Sequence, residues 1–456
     1  MPLSQQSESA RLGRVLAILA GAVLLVWPVF VNGYPIVYSD THAFLVQVGQ
    51  PRMVWDKPWI YGPFLLALHG NTTLFVPMVA QGLILSHLLH LLAGGVWRHL
   101  GLCVLLAAGS AAPWFAALLM PDIFAAVVVI GLYLLAFGGG LGPWQRGWLQ
   151  GLVAFAIASH LSHLVLAAAC LAAIGVLRWR RLAVAGAPLI VALALLAATN
   201  VVGFGRVAIS PYGAVFMLAR LSGDGLVQPL LDRACPGSGW HLCGWAGRLP
   251  AASDHFLWDA DGPVWSAPGG PIGLAPEAGA IVARILRDDP LGVLAAAWRN
   301  TRDQLGMVAL GDALGTDSLA VSITGSLRAY FPPEERARFF AGAQFNGTLA
   351  AWAAPLNPVH AGFLLAGLAA TLALLAQRTS RDFALLVLVG LLANAFATGA
   401  LSGPHDRYQA RIAWLVLLPP ALFAGEAASR FRSARALPPR PETSAPAARN
   451  RSAASR

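Results

Sequence analysis

The chain has 456 residues, of which 57% are hydrophobic and only 11% charged, with a mean hydropathy of +0.64 and a formal net charge of +10. That composition excludes a soluble globular protein of this length. It does not point to nucleic acid either, because the arginines gather between apolar runs and in the C-terminal tail, where the positive-inside preference puts them.

A membrane-crossing helix needs roughly 20 mostly apolar residues, and about ten such stretches follow one another here. The expected fold class is therefore an all-α polytopic membrane protein of about ten transmembrane helices, with a small, mostly helical periplasmic domain. The first apolar run, Ala17 to Val31, follows Arg11 and Arg14 as in a signal peptide. It leads into Trp27-Pro28-Val29-Phe30 without a small-residue cleavage site, so it reads as an uncleaved first helix with residues 1–14 in the cytoplasm.

Further helices are expected near 74–96, 100–118 and 123–140, with Arg98 and Arg146 on the cytoplasmic side. The stretch Gly147 to Leu177 carries a polar break at Ser159-His160-Leu161-Ser162-His163 and reads as two short helices turning near the outer face. Arg178, Arg180 and Arg181 close that pair inside. A helix over 182–202 leads to roughly 150 less hydrophobic residues, and helices near 359–377, 382–400 and 412–428 complete the set. The expected division is 15–202 as N-terminal membrane core with an outer loop at 32–73, 203–358 as periplasmic domain, 359–428 as C-terminal membrane helices and 429–456 as tail. Within the outer region, periodicity predicts helices at Pro276 to Asp288, Pro290 to Leu310 and Pro333 to Leu349. The tail holds almost no large apolar residue and is expected to be disordered and cytoplasmic, near anionic lipid heads. Arg-rich, Lys-poor, Ala-rich usage is compatible with a bacterial inner membrane, both termini inside.

Cys235 and Cys243 flank Pro-Gly-Ser-Gly-Trp-His-Leu on the expected oxidising side, where a structural disulfide is the stronger reading. The rivals are a metal site and a redox pair; the spacing is not CxxC and no second cysteine pair accompanies it. Cys103 and Cys170 fall in apolar runs and read as packing residues.

Asp40 stands at the outer mouth of the first helix, beside Tyr38, Thr41 and His42, ahead of a segment that reads as an interfacial helix. Two readings stand side by side. The carboxylate either accepts a proton from an incoming hydroxyl or amine, or caps that helix for about 1 kcal/mol and no catalysis. Asp122, at the turn before the fourth helix, is likewise either an auxiliary acid or a cap. Arg407 and Arg411 lie four apart before the last helix, with His405 close by, and suit a phosphate or pyrophosphate group. Their rival is a salt bridge to Asp406 or to an outer carboxylate. His160 and His163 are expected to line a polar cavity. They and the pair His87 and His90 could each supply two metal ligands, but no signature names a third.

Lys57-Pro58-Trp59-Ile60-Tyr61-Gly62-Pro63-Phe64 is similar to the Arg-Pro-Pro-x-Tyr-Pro-x-Phe element of the C-type (GT-C) integral-membrane glycosyltransferases. With an acid-bearing first outer loop and the late Arg407-Tyr408-x-x-Arg411 loop, residues 15–200 and 355–428 resemble that superfamily. The resemblance implies transfer of a sugar from a polyprenyl-phosphate carrier to a glycan, lipid or protein acceptor on the outer face. Asp40 would match the first-loop base, Asp122 an auxiliary acid, and Arg407 and Arg411 the phosphate contacts. Read from the residues themselves, His42, Tyr61, His160, His163 and His405 are further candidates for substrate binding, with an interfacial belt as the rival for the aromatics. No cofactor follows, though a divalent metal stays open, and beyond donor, acceptor and membrane lipids no partner is implied. Many members carry paired acids in the first loop, whereas here Asp56 is distant in sequence from Asp40. A lipid or glycan flippase, or a noncatalytic envelope-assembly protein, would share the same composition; a late outer insertion that breaks any inverted-repeat symmetry favours the enzyme.

Overall fold

The computed structural model describes residues 3–50, 52–316 and 319–423. The described residues are built from helices, with an isolated parallel bridge between Ile36 and Leu118 and no strand among them. Among the described residues four segments are long and apolar enough to cross a membrane: Phe75–Ala93, Ser162–Phe204, Leu356–Leu374 and Arg381–Ala400. In Ser162–Phe204 and Leu356–Leu374 only 22% and 17% of the most apolar stretch is buried within the protein. Apolar side chains such as Val176, Ile190, Val202 and Leu365 point outward instead, as expected of surfaces that face lipid.

Helix boundaries depart from the sequence expectation where a local group intervenes. The first helix runs over Leu3–Leu25, stops at Val26-Trp27 and resumes as the short helix Pro28–Asn32, because Pro28 carries no N–H to continue the ladder but suits a first turn. Gly33, at φ 75°, then turns the chain away while its N–H closes on the Val29 carbonyl. The single helix expected at 100–118 is two, Val96–Gly109 and Ala112–Ala117. Ser110 is extended between them; its hydroxyl donates to the Leu106 carbonyl and accepts from the Ala112 N–H. Two helices, Pro143–Ala158 and Ser162–Arg178, meet at the predicted polar break, and a 3-10 turn at Trp179–Arg181 separates the second from Leu182–Phe204. The expected helix at 412–428 begins earlier, at Asp406, and its part beyond 423 lies outside the described residues, as does the tail expected to be disordered at 429–456.

The outer region is not one unit over 203–358. Residues from Tyr212 to Val293 form their own apolar core, around Leu218, Phe256 and Ile281. Residues from Leu310 to Ala353 instead join the core of the membrane helices. Polar side chains decide this. Glu335, 2% exposed, accepts the Tyr34 hydroxyl at 2.7 Å and the Leu74 N–H at 2.7 Å. The Gln344 amide pairs with the backbone of Val37 like a neighbouring strand, accepting its N–H at 3.1 Å and donating to its carbonyl at 2.7 Å. A segment that satisfies these buried backbone groups cannot leave the first outer loop without exposing them to an unpaired state.

Helices over Gly270–Asp288, Pro290–Gly306 and Pro333–Ala341 answer the three predicted in this region, while Gly213–Gly223 and Leu319–Tyr330 were not foreseen. Pro290–Gly306 packs across the outer end of Arg381–Ala400, where Gly399 permits the approach: a Cβ there would lie 2.6 Å from the Asn300 carbonyl oxygen. Cys235 and Cys243 are disulfide-bonded, and the Glu277 carboxylate holds the loop by accepting the N–H groups of His241 and Leu242. Cys103 and Cys170 are buried thiols. Replacing both bridged cysteines by serine is expected to lower the stability of the 212–293 unit by roughly 2 to 3 kcal/mol, measured by denaturant unfolding of the full-length protein. An unchanged midpoint would show the loop to be held by Glu277 alone.

Candidate functional site

Two elements far apart in sequence deliver charge to one place. Asp122 precedes the helix Ile123–Phe137, and Arg407 and Arg411 lie on successive turns of Asp406–Ala413. Arg411 is 0% exposed and Asp122 1%. One Asp122 oxygen, Oδ1, faces both guanidinium groups, at 3.8 Å from Arg407 Nε and 3.5 Å from Arg411 Nη1. Asp122 makes no capping hydrogen bond from its side chain, so the cap reading does not describe it. Nor does Asp406 pair with either arginine: it accepts the Ala309 N–H, and Asp312 accepts the N–H of Arg407 at 3.1 Å, capping the helix from the outer loop. Burial pushes the Asp312 carboxyl up.

Arg411 is held by neutral groups. Its Nη2 donates to Ser162 Oγ at 2.8 Å and to Asn394 Oδ1 at 2.9 Å. Asn394 is fixed in turn, donating to the Tyr408 carbonyl and to Gln409 Oε1. The Ser162 hydroxyl meets His160 Nδ1 at 2.7 Å, and because the Ser162 N–H also donates to Nδ1, that nitrogen is an acceptor. Arg407 lies over the Tyr38 ring, 4.0 Å from its centre. Two buried cations thus share one buried carboxylate. Arg407 Nη1 and Arg411 Nε have no hydrogen-bond partner among the described residues, an arrangement that favours a further anion.

Asp40 sits at the start of the helix Thr41–Gly49, yet its carboxylate makes no capping bond. It pairs with Lys57 Nζ at 3.2 Å, and the same ammonium lies 2.5 Å from Asp56 Oδ2. The two acids of the first outer loop, distant in sequence, are therefore neighbours through one lysine. Burial acts to raise the Asp40 carboxyl, but Lys57 first and Arg407 second outweigh it and hold it below the usual carboxylate value. Burial likewise opposes the charge on Lys57, and Asp40 and Asp56 reverse that and raise it. The Asp40 side chain remains 31% exposed, so it is reachable from outside.

The other residues singled out from sequence divide. His405 joins the site's outer edge, with Nε2 3.2 Å from Asp254 of the outer unit. The bond from His405 is the main cause that lowers the Asp254 carboxyl. His160 joins through Ser162. His163 is buried; its Nδ1 donates to the Ala156 carbonyl at 2.7 Å, while Nε2 lacks a partner among the described residues. Tyr61 is not a surface for ligand: it is 0% exposed and donates to Gln81 Oε1, which is anchored on the carbonyls of Ala116 and Leu118. His42 faces Ser326 Oγ at 2.7 Å, tying the first loop to Leu319–Tyr330. Among the described residues no three His, Cys, Asp or Glu side chains group in a way that could hold a metal ion; His87 packs near Trp148 and His90 against His99. Lys57, Asn394 and Ser162 were missed. Asn394 had a signal, a carboxamide inside an apolar run.

No family model, no curated protein and no solved structure matches this chain.

In the unfolded chain Asp40 titrates near about pH 4, and in the folded protein lower. The pair it forms stabilises the fold above the unfolded value and fades as pH falls through the folded one. The difference in thermal stability between wild type and Asp40→Asn is expected to hold constant from about pH 8 to pH 5 and to shrink only below about pH 4. A difference that vanishes near pH 6 would mean that Asp40 is not held ionised by Lys57.

Proposed function

We propose that the protein is a polytopic glycosyltransferase of the GT-C kind, resident in a bacterial inner membrane, that moves a sugar from a polyprenyl-phosphate carrier to an envelope acceptor on the periplasmic face. One observation carries the reading: two buried arginines share a single carboxylate oxygen and retain guanidinium nitrogens without partners among the described residues, close to a half-buried acid held ionised. A buried surplus of positive charge favours an anion, and a lipid phosphate meets it at membrane depth. The ten-span topology with both termini inside agrees with the break at Trp179–Arg181 and with the arginines at 98, 146, 178, 180 and 181 between apolar helices.

In the reaction, the bond between the sugar's anomeric carbon and the carrier phosphate breaks, and its electron pair stays on the phosphate oxygen. The acceptor oxygen forms the new bond to that carbon, and its proton passes to Asp40. Arg407 and Arg411 stabilise the charge that develops on the departing phosphate, while Asp122 fixes their orientation. An acid held ionised is a weak base, and it suffices because the acceptor hydroxyl becomes acidic only as its oxygen commits to the new bond. Lys57 keeps its pair with Asp56 when Asp40 turns to the acceptor.

Mass spectrometry of lipid-linked sugars and envelope glycans, in cells expressing wild type, Asp40→Asn or no protein, tests the reading. The expected outcome is that Asp40→Asn and the deletion accumulate the same polyprenyl-phosphate sugar and lose the same glycan modification. Should Asp40→Asn match wild type while the deletion redistributes lipid, the protein is a flippase or an assembly factor.

A further inference from the structure

The first outer loop meets the 212–293 unit in an aromatic seam. Trp55 stacks on Phe216, with ring centres 5.1 Å apart and planes 26° from parallel, and tilts against Trp258 at 5.9 Å. Trp258 closes the short helix Ser253–Trp258 and keeps 44% of its surface exposed. One cation joins this ring to the reactive acid: Lys57 Nζ lies 5.8 Å from the Trp258 ring centre and 3.2 Å from Asp40 Oδ1. Asp254 lies one turn before Trp258, hence on the same helix face, and carries its partly exposed carboxylate to His405.

The three most exposed tryptophans have a different setting. Trp97, Trp144 and Trp179 stand beside Arg98, Arg146 and Arg180 or Arg181 at the ends of apolar helices, as in an interfacial belt. Trp258 instead packs against Trp55 and Phe216, with the Lys57 ammonium over its ring at 5.8 Å and the Asp254–His405 pair one helical turn away. An apolar plate with charged groups of both signs nearby matches a pyranose, whose axial C–H bonds form an apolar face and whose hydroxyls radiate at the rim. A hydrocarbon ligand would make no use of those charged groups, and a cationic one would meet Lys57.

We infer that this seam is a carbohydrate subsite, with Trp258 as the stacking platform and Lys57, Asp254 and His405 as its polar rim, and that it seats a sugar ring of the acceptor against Asp40. The assignment of that sugar as acceptor rests on the transferase reading; the binding of sugar does not. Trp55 and Phe216 set the tilt of the platform, and Lys57, 3.2 Å from Asp40, directs the ring's hydroxyls to the acid. The acceptor is thereby a glycan or glycolipid rather than a bare protein side chain.

The experiment is saturation-transfer NMR on the full-length protein in lipid nanodiscs, with cellohexaose, maltohexaose, mannohexaose and chitohexaose as probes. At least one should receive saturation at its ring C–H protons. Its affinity should fall by about tenfold in Trp258→Ala and stay within about threefold in Trp258→Phe, which keeps the aromatic plate and guards against a folding artefact. Absence of binding by all four probes, or equal binding by Trp258→Ala, overturns the inference even where the deletion strain accumulates a lipid-linked sugar and the transferase reading stands. Conversely, Trp258-dependent binding with unaltered lipid-linked sugars in the deletion strain leaves a sugar-binding seam and removes the transferase.

Discussion

Asp122 is one acid facing two buried bases, and the rest of the structure is arranged around that imbalance. Away from water a guanidinium is costly unless it is paired and hydrogen-bonded, and one carboxylate oxygen at 3.5 and 3.8 Å answers two of them incompletely. The protein compensates with neutral dipoles: Asn394 from the helix Arg381–Ala395, Ser162 from the start of Ser162–Arg178, and the Tyr38 ring from the first outer loop. Each comes from a different helix or loop, so the charge cluster fixes how those segments meet. What it leaves over, Arg407 Nη1 and Arg411 Nε, is the chemistry offered to a ligand.

The outer polypeptide completes the site in two different ways. Residues from Leu310 to Ala353 belong to the membrane core, because Glu335 and Gln344 satisfy backbone groups of the first loop. The 212–293 unit has its own core and touches the site at its edge, through Trp258 at Lys57 and Asp254 at His405. Gln304 reinforces that edge by exchanging two hydrogen bonds with the His405 backbone. The first arrangement is support from within the membrane core; the second sets a unit with its own core beside Asp40, where the proposed acceptor would be selected.

Much of this was legible in the residues themselves. Asp40, Asp122, Arg407 and Arg411 stood out because charge is scarce in so apolar a chain, and they converge. Whether the two acids were caps was not legible: an acid before a helix reads the same whether it turns to the backbone or away, and both turn away. The aromatic and histidine assignments fared differently, since Tyr61 and His42 face inward partners supplied by Gln81 and Ser326, whose positions only tertiary packing fixes. Lys57 was read as part of a motif, yet its role comes from geometry, bridging Asp40 and Asp56 across a loop. The helix at 100–118 failed at Ser110, whose hydroxyl competes for the backbone just where a proline follows.

The central claim is that Arg407 and Arg411 hold a lipid phosphate. Native mass spectrometry of the purified protein with a long-chain polyprenyl phosphate, and with the corresponding polyprenol, tests it most directly. The account predicts one bound polyprenyl phosphate on wild type, retained in Trp258→Phe, lost in Arg407→Gln and Arg411→Gln, and no comparable binding of the alcohol. Equal binding by the arginine variants, or of alcohol and phosphate alike, would contradict it and leave the buried arginines as scaffolding alone.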